Sequence, residues 1–278
     1  MSKELFAFSL TLLAGLATGI GSLIALVAKK TNTKFLAVSL GFSAGVMIYV
    51  SMIEIFVKAQ TSLKASLGER KGAWVTVIAF FGGMLLIALI DKLIPSHENP
   101  HELRKVEDMD AVDNIEDNPN SLSSSNTKSK LLRMGVFTAL AIGIHNFPEG
   151  LATFISGLQQ PEIALPIAFA IAIHNIPEGI AVSVPLYYAT GDRKKAFCYS
   201  FLSGLTEPLG ALIGYTLLRP FINDTTFGIV FAMVAGIMVF ISLDELLPSA
   251  RQYGEHHLSI YGMVAGMVLM AVSLLLFM

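Results

Sequence analysis

The sequence repeats one unusual hexapeptide, HNFPEG at 145–150 and HNIPEG at 174–179, inside two otherwise apolar stretches. Each copy holds an imidazole, an amide and a carboxylate, and all three groups can coordinate a metal ion. Residues three or four positions apart share a face of a helix, so the His, Asn and Glu of each copy point the same way. The proline of each copy removes a backbone donor and frees an upstream carbonyl. The spacing therefore predicts two matching metal-binding faces on bent, partly unwound helices.

The candidate ligands are nitrogen and oxygen donors without a thiolate. They are His145, Asn146, Glu149, His174, Asn175, Glu178 and Glu207. This set suits Zn²⁺, Fe²⁺, Mn²⁺, Co²⁺ or Cd²⁺ better than Cu⁺. Each carboxylate at the centre of a bilayer costs about 2.5–3.5 kcal/mol, so three unpaired ones would cost roughly 8–10 kcal/mol. Divalent cations would offset that cost, and three carboxylates leave room for two ions.

The composition is that of a membrane protein. Of the 278 residues, 54% are hydrophobic and 14% are charged, and the mean hydropathy is +0.65, whereas soluble domains are about 25% charged. The net charge of −2 gives no reason to expect a nucleic-acid partner. The single cysteine, Cys198, excludes an intrachain disulfide and a cysteine-based zinc finger.

The chain is predicted to be all-α, with eight transmembrane helices. Stretches long enough to cross a bilayer lie near 5–28, 35–57, 73–94, 131–158, 162–187, 196–218, 226–247 and 258–278. The first lacks a cleavage site and is too long for a signal peptide, so it is interpreted as a spanning helix. Most connections are short. The exception, 95–130, is acidic and rich in Ser and Asn, which predicts a mobile loop.

The distribution of positive charge predicts the orientation. With the N-terminus outside, 13 of the 19 Lys and Arg residues fall on the inside and 6 on the outside. Because positive residues favour the cytoplasmic side, both termini are expected outside the cell membrane and the loop 95–130 in the cytoplasm.

An internal duplication surrounds the two hexapeptides. Three pairs of segments keep the same order of residues, at offsets of 191, 189 and 183 positions. The pairs are AGVMIYVSMIEI (44–55) with AGIMVFISLDEL (235–246), GLATGIGSLI (15–24) with GLTEPLGALI (204–213), and GMLLIA (83–88) with GMVLMA (266–271). Spans 1 and 6, 2 and 7, and 3 and 8 are each five crossings apart, so the equivalent spans point in opposite directions.

The result is a 3+2+3 inverted repeat, which is typical of transporters and places the substrate site near the membrane midplane. The predicted divisions are 1–94 (spans 1–3), 95–130 (the loop), 131–187 (spans 4 and 5) and 188–278 (spans 6–8). Three further acids, Glu54, Asp244 and Glu245, lie near the ends of spans 2 and 7. They are either interfacial or on the path of the ion, and the sequence leaves both alternatives open.

The motifs HNFPEG, HNIPEG, LTEPLG and SLDELLP together resemble those of the ZIP metal transporters, most closely the bacterial zinc-uptake (ZupT-type) branch. The resemblance implies eight helices, extracellular termini, a frequent homodimer, and metal movement toward the cytoplasm through a two-metal centre between helices 4, 5 and 6. It also implies that helices 1, 4, 5 and 6 move as a block against helices 2, 3, 7 and 8.

By the same resemblance the ligands divide between two ions. The primary ion would be held by His145, Glu149, His174 and Glu178. The second would be held by Asn146, Asn175 and Glu207, with the carboxylates of both hexapeptides bridging.

The leading functional prediction is a secondary transporter of divalent transition metals, zinc first, that works in the lipid bilayer and has no prosthetic cofactor. No Walker-type loop for ATP binding occurs in the sequence. A metal-selective channel is one alternative. An intramembrane zinc-dependent hydrolase is another, but the sequence contains no His-Glu-x-x-His motif.

Overall fold

The computed structural model describes residues 2–27, 33–93, 124–159, 161–221, 223–252 and 256–276, and within these ranges it contains helices and no strand. The helices are α1 (Lys3–Val27), α2 (Thr33–Tyr49), α3 (Phe56–Leu67), α4 (Glu69–Leu93), α5 (Ser124–Gln159), α6 (Pro161–Thr190), α7 (Arg193–Gly204), α8 (Thr206–Leu218), α9 (Asp224–Ile241), α10 (Leu247–Gln252) and α11 (His256–Leu276). Two π-helical segments, π1 (Val50–Ile55) and π2 (Ser242–Leu246), continue α2 and α9.

Seven helices in the described part of the chain are long and apolar enough to cross a membrane. The predicted fourth span, 131–158, lies in α5, where not every side chain is described, so the count of eight stays a prediction. Helix α5 begins at Ser124, inside the segment predicted as a loop. The part of that loop between 95 and 123 lies outside the described residues.

Contacts between helices repeat at equivalent positions of the two halves. Gly45 lies against the carbonyl of Met263, and Gly236 lies against the carbonyl of Phe80. The glycines are 191 positions apart and their partners 183 apart, which are the offsets found in the sequence. A Cβ atom at either glycine would overlap the carbonyl oxygen that it faces. The duplication is therefore present in the helix packing as well as in the sequence.

The helices pack in two groups. The first contains α1, α5, α6, α7 and α8, and the second contains α2, α3, α4, α9, α10 and α11 with both π segments. Contact between the groups is made chiefly where α2 meets α6 and where α9 meets α5. The close glycine approaches join helices of the same group. Each group is thus tightly joined within itself, and the groups correspond to predicted spans 1, 4, 5 and 6 and spans 2, 3, 7 and 8.

The two π segments occupy equivalent places in spans 2 and 7. Ser51 of π1 and Ser242 of π2 are 191 positions apart, the offset of the repeat. Short π segments inside α-helices occur frequently at functional sites. Sequence reasoning did not predict them, because an apolar pattern a few residues long does not distinguish an α turn from a π turn.

The helices that hold the hexapeptides are not unwound. Helices α5 and α6 continue through Pro148 and Pro177, so the predicted unwinding at the motifs is wrong. The break lies in span 6, where α7 ends at Gly204, and the hydroxyl of Thr206 donates to the carbonyl of Ser203 at 2.6 Å. Glu207 therefore lies in the first turn of α8, where the helix dipole favours negative charge.

Two adjacent glycines of α4 test this packing. Gly83 faces the carbonyl of Met233, whereas Gly82 has no atom within 4 Å of an added Cβ. We expect Gly83→Ala to lower the thermal unfolding midpoint, because overpacking costs about 1–3 kcal/mol. Gly82→Ala should keep or raise it, because alanine gains up to about 1 kcal/mol in a helix. Equal midpoints for the two purified variants would contradict the close approach of α4 to α9.

Candidate metal centre

The structure brings the predicted ligands together from three helices. The hexapeptides lie on α5 and α6, and Glu207 begins α8. All seven predicted side chains are buried, and the most exposed of them, Glu178, is only 6% exposed. Buried carboxylates are costly unless they are paired or bound to metal, so this concentration of polar groups marks a site rather than a packed core.

One imidazole joins the carboxylates of both hexapeptides. The Nε2 atom of His174 lies 3.2 Å from Oε2 of Glu149 and 3.9 Å from Oε1 of Glu178. The second contact is between residues four apart on one helix, as the spacing predicted. The first contact crosses from α6 to α5, so the two motif faces meet.

The other imidazole has a partner that sequence reasoning did not place in the site. The Nε2 atom of His145 lies 3.0 Å from Oε1 of Glu245, which belongs to π2 and is 5% exposed. Glu245 had been left open between an interfacial and a pathway role. The one signal in the sequence is that acids recur at equivalent positions of the two halves, Glu54 and Glu245, at the offset of 191.

The His and Glu side chains lie in two clusters, His145 with Glu245 and His174 with Glu149 and Glu178. In the part of the chain that the structure describes, no three His, Cys, Asp or Glu side chains converge closely enough to form a metal site by themselves. The carboxylate beside His145 comes from the other helix group. The amide oxygens of the centre are therefore the nearest further ligands for an ion held by these clusters.

The two motif asparagines are held in equivalent ways. The Nδ2 atom of Asn146 donates to the carbonyl of Ser203 at 3.3 Å, and that of Asn175 donates to the carbonyl of Ala14 at 2.8 Å. The two acceptors are 189 positions apart, the offset between spans 1 and 6. One end of each amide thus lies against an equivalent backbone carbonyl, and the other end is directed to the centre.

The other end of the Asn146 amide faces a carboxylate. The atom at this end lies 3.2 Å from Oε2 of Glu178 and 3.1 Å from the carbonyl of Ile142. With nitrogen at this end the amide donates to both acceptors, which satisfies more hydrogen bonds than the single 3.3 Å contact with Ser203. An oxygen at this end would face two acceptors, and a cation beside Glu178 would remove that repulsion.

Three oxygens of the centre have no donor. Oε1 of Glu149, Oδ1 of Asn175 and Oε2 of Glu207 are buried without a hydrogen-bond partner. The second carboxylate oxygen of Glu207 accepts a short hydrogen bond from Nδ2 of Asn175. An unsatisfied buried acceptor costs about 1–3 kcal/mol, more if it is charged. Carboxylate and amide oxygens with nearby imidazoles are a donor set that fits a divalent transition-metal ion.

The motif glycines let the neighbouring backbones reach the centre. Gly150 lies against the carbonyl of Glu207, and Gly179 lies against the carbonyl of Thr18. Thr18 and Glu207 are equivalent residues of the repeat, so the two contacts obey its symmetry. Both glycines are points of close helix approach, where a Cβ atom would overlap the facing carbonyl. Only one half of the repeat brings a carboxylate to this position.

These features define the class of the protein. It is a polytopic helical membrane protein with an internal repeat and a buried His–Glu–Asn centre between helices, the architecture of secondary transporters.

Comparison with known proteins gives the family. The family model described as ZIP Zinc transporter matches residues 79–274. The zinc transporter ZupT of Clostridium perfringens (strain 13 / Type A) is 66% identical over 278 residues, which are 100% of this chain and 98% of that protein. The zinc transporter ZupT of Streptococcus mutans serotype c is also 66% identical over 278 residues, with 100% of both chains covered. The chain therefore belongs to the ZIP zinc transporter family.

Proposed function

We propose that this protein is a carrier that moves divalent transition-metal ions across the cell membrane into the cytoplasm, zinc first and, in no stated order, also iron, manganese, cobalt and cadmium. The observation that carries the proposal is the set of three buried oxygens without donors, supplied by three different helices beside two imidazoles. The relatives named as zinc transporters support zinc as the first substrate. Zinc is thus cargo rather than a resident cofactor, and the family consists of transporters rather than enzymes.

The ligands divide between two ions. The first ion is held by His145, Glu149, His174 and Glu178. The second is held by Asn146, Asn175 and Glu207, with Glu149 and Glu178 bridging. The division is supported by the contacts, since the two bridging carboxylates both lie near His174, whereas Glu207 contacts Asn175.

Transport requires the two helix groups to move against each other. The His145–Glu245 contact joins α5 of one group to π2 of the other, whereas the close glycine contacts hold each group together. Movement between the groups therefore changes the surroundings of His145 without disturbing the packing inside either group. A metal-selective channel is the runner-up, because a buried centre of this composition could also conduct ions.

Uptake by purified protein in liposomes tests the proposal and separates a carrier from a channel. We expect zinc uptake to saturate and to be accelerated by zinc trapped inside the liposomes. Iron, manganese, cobalt and cadmium should compete with zinc. Uptake that rises in proportion to zinc without saturation, and without acceleration by internal zinc, would favour the channel. If none of these metals entered the liposomes, both the carrier and the channel would be refuted.

Metal affinity should depend on pH. A free imidazole has a pKa of about 6.5, and a metal binds only the neutral ring, so binding releases protons. If His145 and His174 are ligands, the apparent affinity for zinc should weaken as the pH falls toward about 5. Zinc titration of the purified protein at several pH values checks this. An affinity that is constant across the range would argue that neither histidine binds the ion.

A homodimer stays a prediction of the resemblance alone.

We propose further that both termini face the outside and that the segment 95–130 is cytoplasmic. A thiol reagent tests this orientation, and because Cys198 is exposed and would also react, it must first be replaced by serine. In that background, Ser124→Cys should react with an impermeant thiol reagent only after the cells are permeabilised. Reaction in intact cells would reverse the orientation.

A further inference from the structure

The helix packing obeys the symmetry of the repeat, but the contacts of its acidic π segments do not. Glu54 of π1 and Glu245 of π2 are equivalent at the offset of 191, and His174 and His145 are equivalent at the offset of 29 between the hexapeptides. Glu245 lies 3.0 Å from His145. The equivalent contact would join Glu54 to His174, yet Glu54 instead pairs with Lys58 at 3.6 Å.

His174 is engaged elsewhere. Its Nε2 atom contacts the carboxylates of Glu149 and Glu178. The two imidazoles of the centre therefore have different kinds of partner: one meets an acid of the π segment, and the other meets the acids of the hexapeptides. The two halves of the repeat therefore place their equivalent histidines in different surroundings.

The serines of the two π segments also differ in their hydrogen bonds. The hydroxyl of Ser242 in π2 donates to the carbonyl of Met238 at 2.7 Å. Its equivalent in π1, Ser51, is fully buried, and its hydroxyl has no hydrogen-bond partner. The segment that contacts a central histidine thus has a satisfied serine, and the segment that does not has an unsatisfied one.

Lys58 is the partner of Glu54 in this structure. It lies one turn after Glu54, and the equivalent position in the second repeat is Ser249. The side chain of Lys58 is 37% exposed, and ion pairs of this kind are weak. The pair neutralises Glu54 while leaving its carboxylate easy to release.

We propose that Glu54 is a metal-handling residue of the opposite conformation. Alternating access in inverted-repeat transporters is largely a rigid-body movement of one bundle against the other around the site. Because each helix group here contains equivalent segments of both repeats, we infer that this movement exchanges the arrangements of π1 and π2. In the exchanged state π1 takes the arrangement that π2 has here, and Glu54 leaves Lys58. Its carboxylate then contacts His174 and a divalent ion that enters from the Glu54 face, by which we mean the side of the membrane toward which α3 leads from π1. The ion therefore meets one π-segment carboxylate on each side of the centre, Glu54 on one and Glu245 on the other. This inference rests on the proposed transport function.

The test compares zinc entry from the two faces in intact cells and in inside-out membrane vesicles. Glu54→Gln should raise the half-saturating zinc concentration roughly tenfold, the effect of losing one charged ligand, for entry from the Glu54 face and not from the other. Lys58→Gln should lower the half-saturating zinc concentration on the same face, because the lysine ammonium no longer competes with the ion for Glu54.

Glu69→Gln is the matched control. Glu69 also pairs with a lysine, at 3.0 Å from Lys64, but its side chain is 84% exposed. Glu69→Gln should leave the half-saturating zinc concentration unchanged for entry from either face.

Membrane content of each variant is measured by immunoblot, and uptake is expressed per molecule. The proposal is overturned if Glu54→Gln behaves as Glu69→Gln, if it weakens entry from both faces equally, or if Lys58→Gln weakens entry as Glu54→Gln does, which would make the pair structural. Absence of zinc entry in the wild type would instead refute the proposed function itself.

Discussion

Replacing Glu178 with alanine should reduce zinc transport to the background of empty liposomes. Glu178 is buried, lies 3.9 Å from His174 and lies opposite the amide of Asn146 at 3.2 Å. It is proposed to bind both ions, so its removal damages both positions and leaves His174 with one carboxylate. Substitution of residues that only support a metal ligand typically costs about 10–100-fold in metal affinity or activity. Loss of a bridging ligand should exceed that.

Initial rates of zinc uptake in liposomes, at equal amounts of reconstituted protein, measure the effect. Glu69→Ala is the control, because Glu69 is an exposed carboxylate at the start of α4 and is not near the centre. It should transport as the wild type does. A Glu178→Ala protein that is correctly folded and keeps more than about a tenth of the wild-type rate would contradict its assignment as a bridging ligand.

Glu207→Gln should instead weaken binding of the second ion while the first ion stays bound. Glu207 comes from α8, contacts Asn175, and has no carboxylate counterpart in the first repeat, where Thr18 occupies its place. Glutamine keeps the size and shape of the side chain and an oxygen that can accept from Asn175, but it removes the only carboxylate that belongs to the second ion alone. The first ion keeps two imidazoles and two carboxylates, enough for one divalent cation. We expect one tightly bound zinc ion per chain, with a changed transport rate or metal preference.

Elemental analysis of purified, zinc-loaded protein measures the stoichiometry of both variants. Wild type should hold two zinc ions per chain, Glu207→Gln one, and Glu178→Ala neither with high affinity. The opposite pattern, in which Glu207→Gln binds no zinc while Glu178→Ala keeps one ion, would show that the residues are wrongly divided between the ions.

Much of the centre could be predicted from local spacing. His174 and Glu178 share a face because four residues separate them, and the duplicated hexapeptide indicated a second face that would meet the first. The contact from His174 to Glu149 across two helices follows from that symmetry. Periodicity on a helix and repetition along the chain are both properties that a sequence displays directly.

The partner of His145 could not be predicted in this way. Glu245 lies 100 positions further along the chain, in a segment whose side-chain directions depend on a π turn. A π turn alters the phase of the helix after it, so the face of Glu245 cannot be obtained by counting in steps of 3.6 residues. Its contact with His145 also depends on how the two helix groups meet, which no local pattern records.

The position of the helix break could not be predicted from the sequence either. Proline was expected to unwind α5 and α6, yet those helices continue, and the interruption precedes Pro208 in span 6. Proline lacks one donor wherever it stands, but close neighbours decide whether the freed carbonyl is tolerated. Gly150 and Gly179 bring such neighbours near, because α8 and α1 pack directly on the motif helices.

The central claim is that the two hexapeptides coordinate the transported ion, and the X-ray absorption spectrum of zinc bound to the purified protein tests it most directly. We predict a shell of nitrogen and oxygen ligands at about 2.0–2.2 Å, without sulfur at about 2.3 Å, and with imidazole scattering that decreases in His174→Ala. A spectrum with no imidazole contribution in the wild type, or one that His174→Ala leaves unchanged, would contradict the claim.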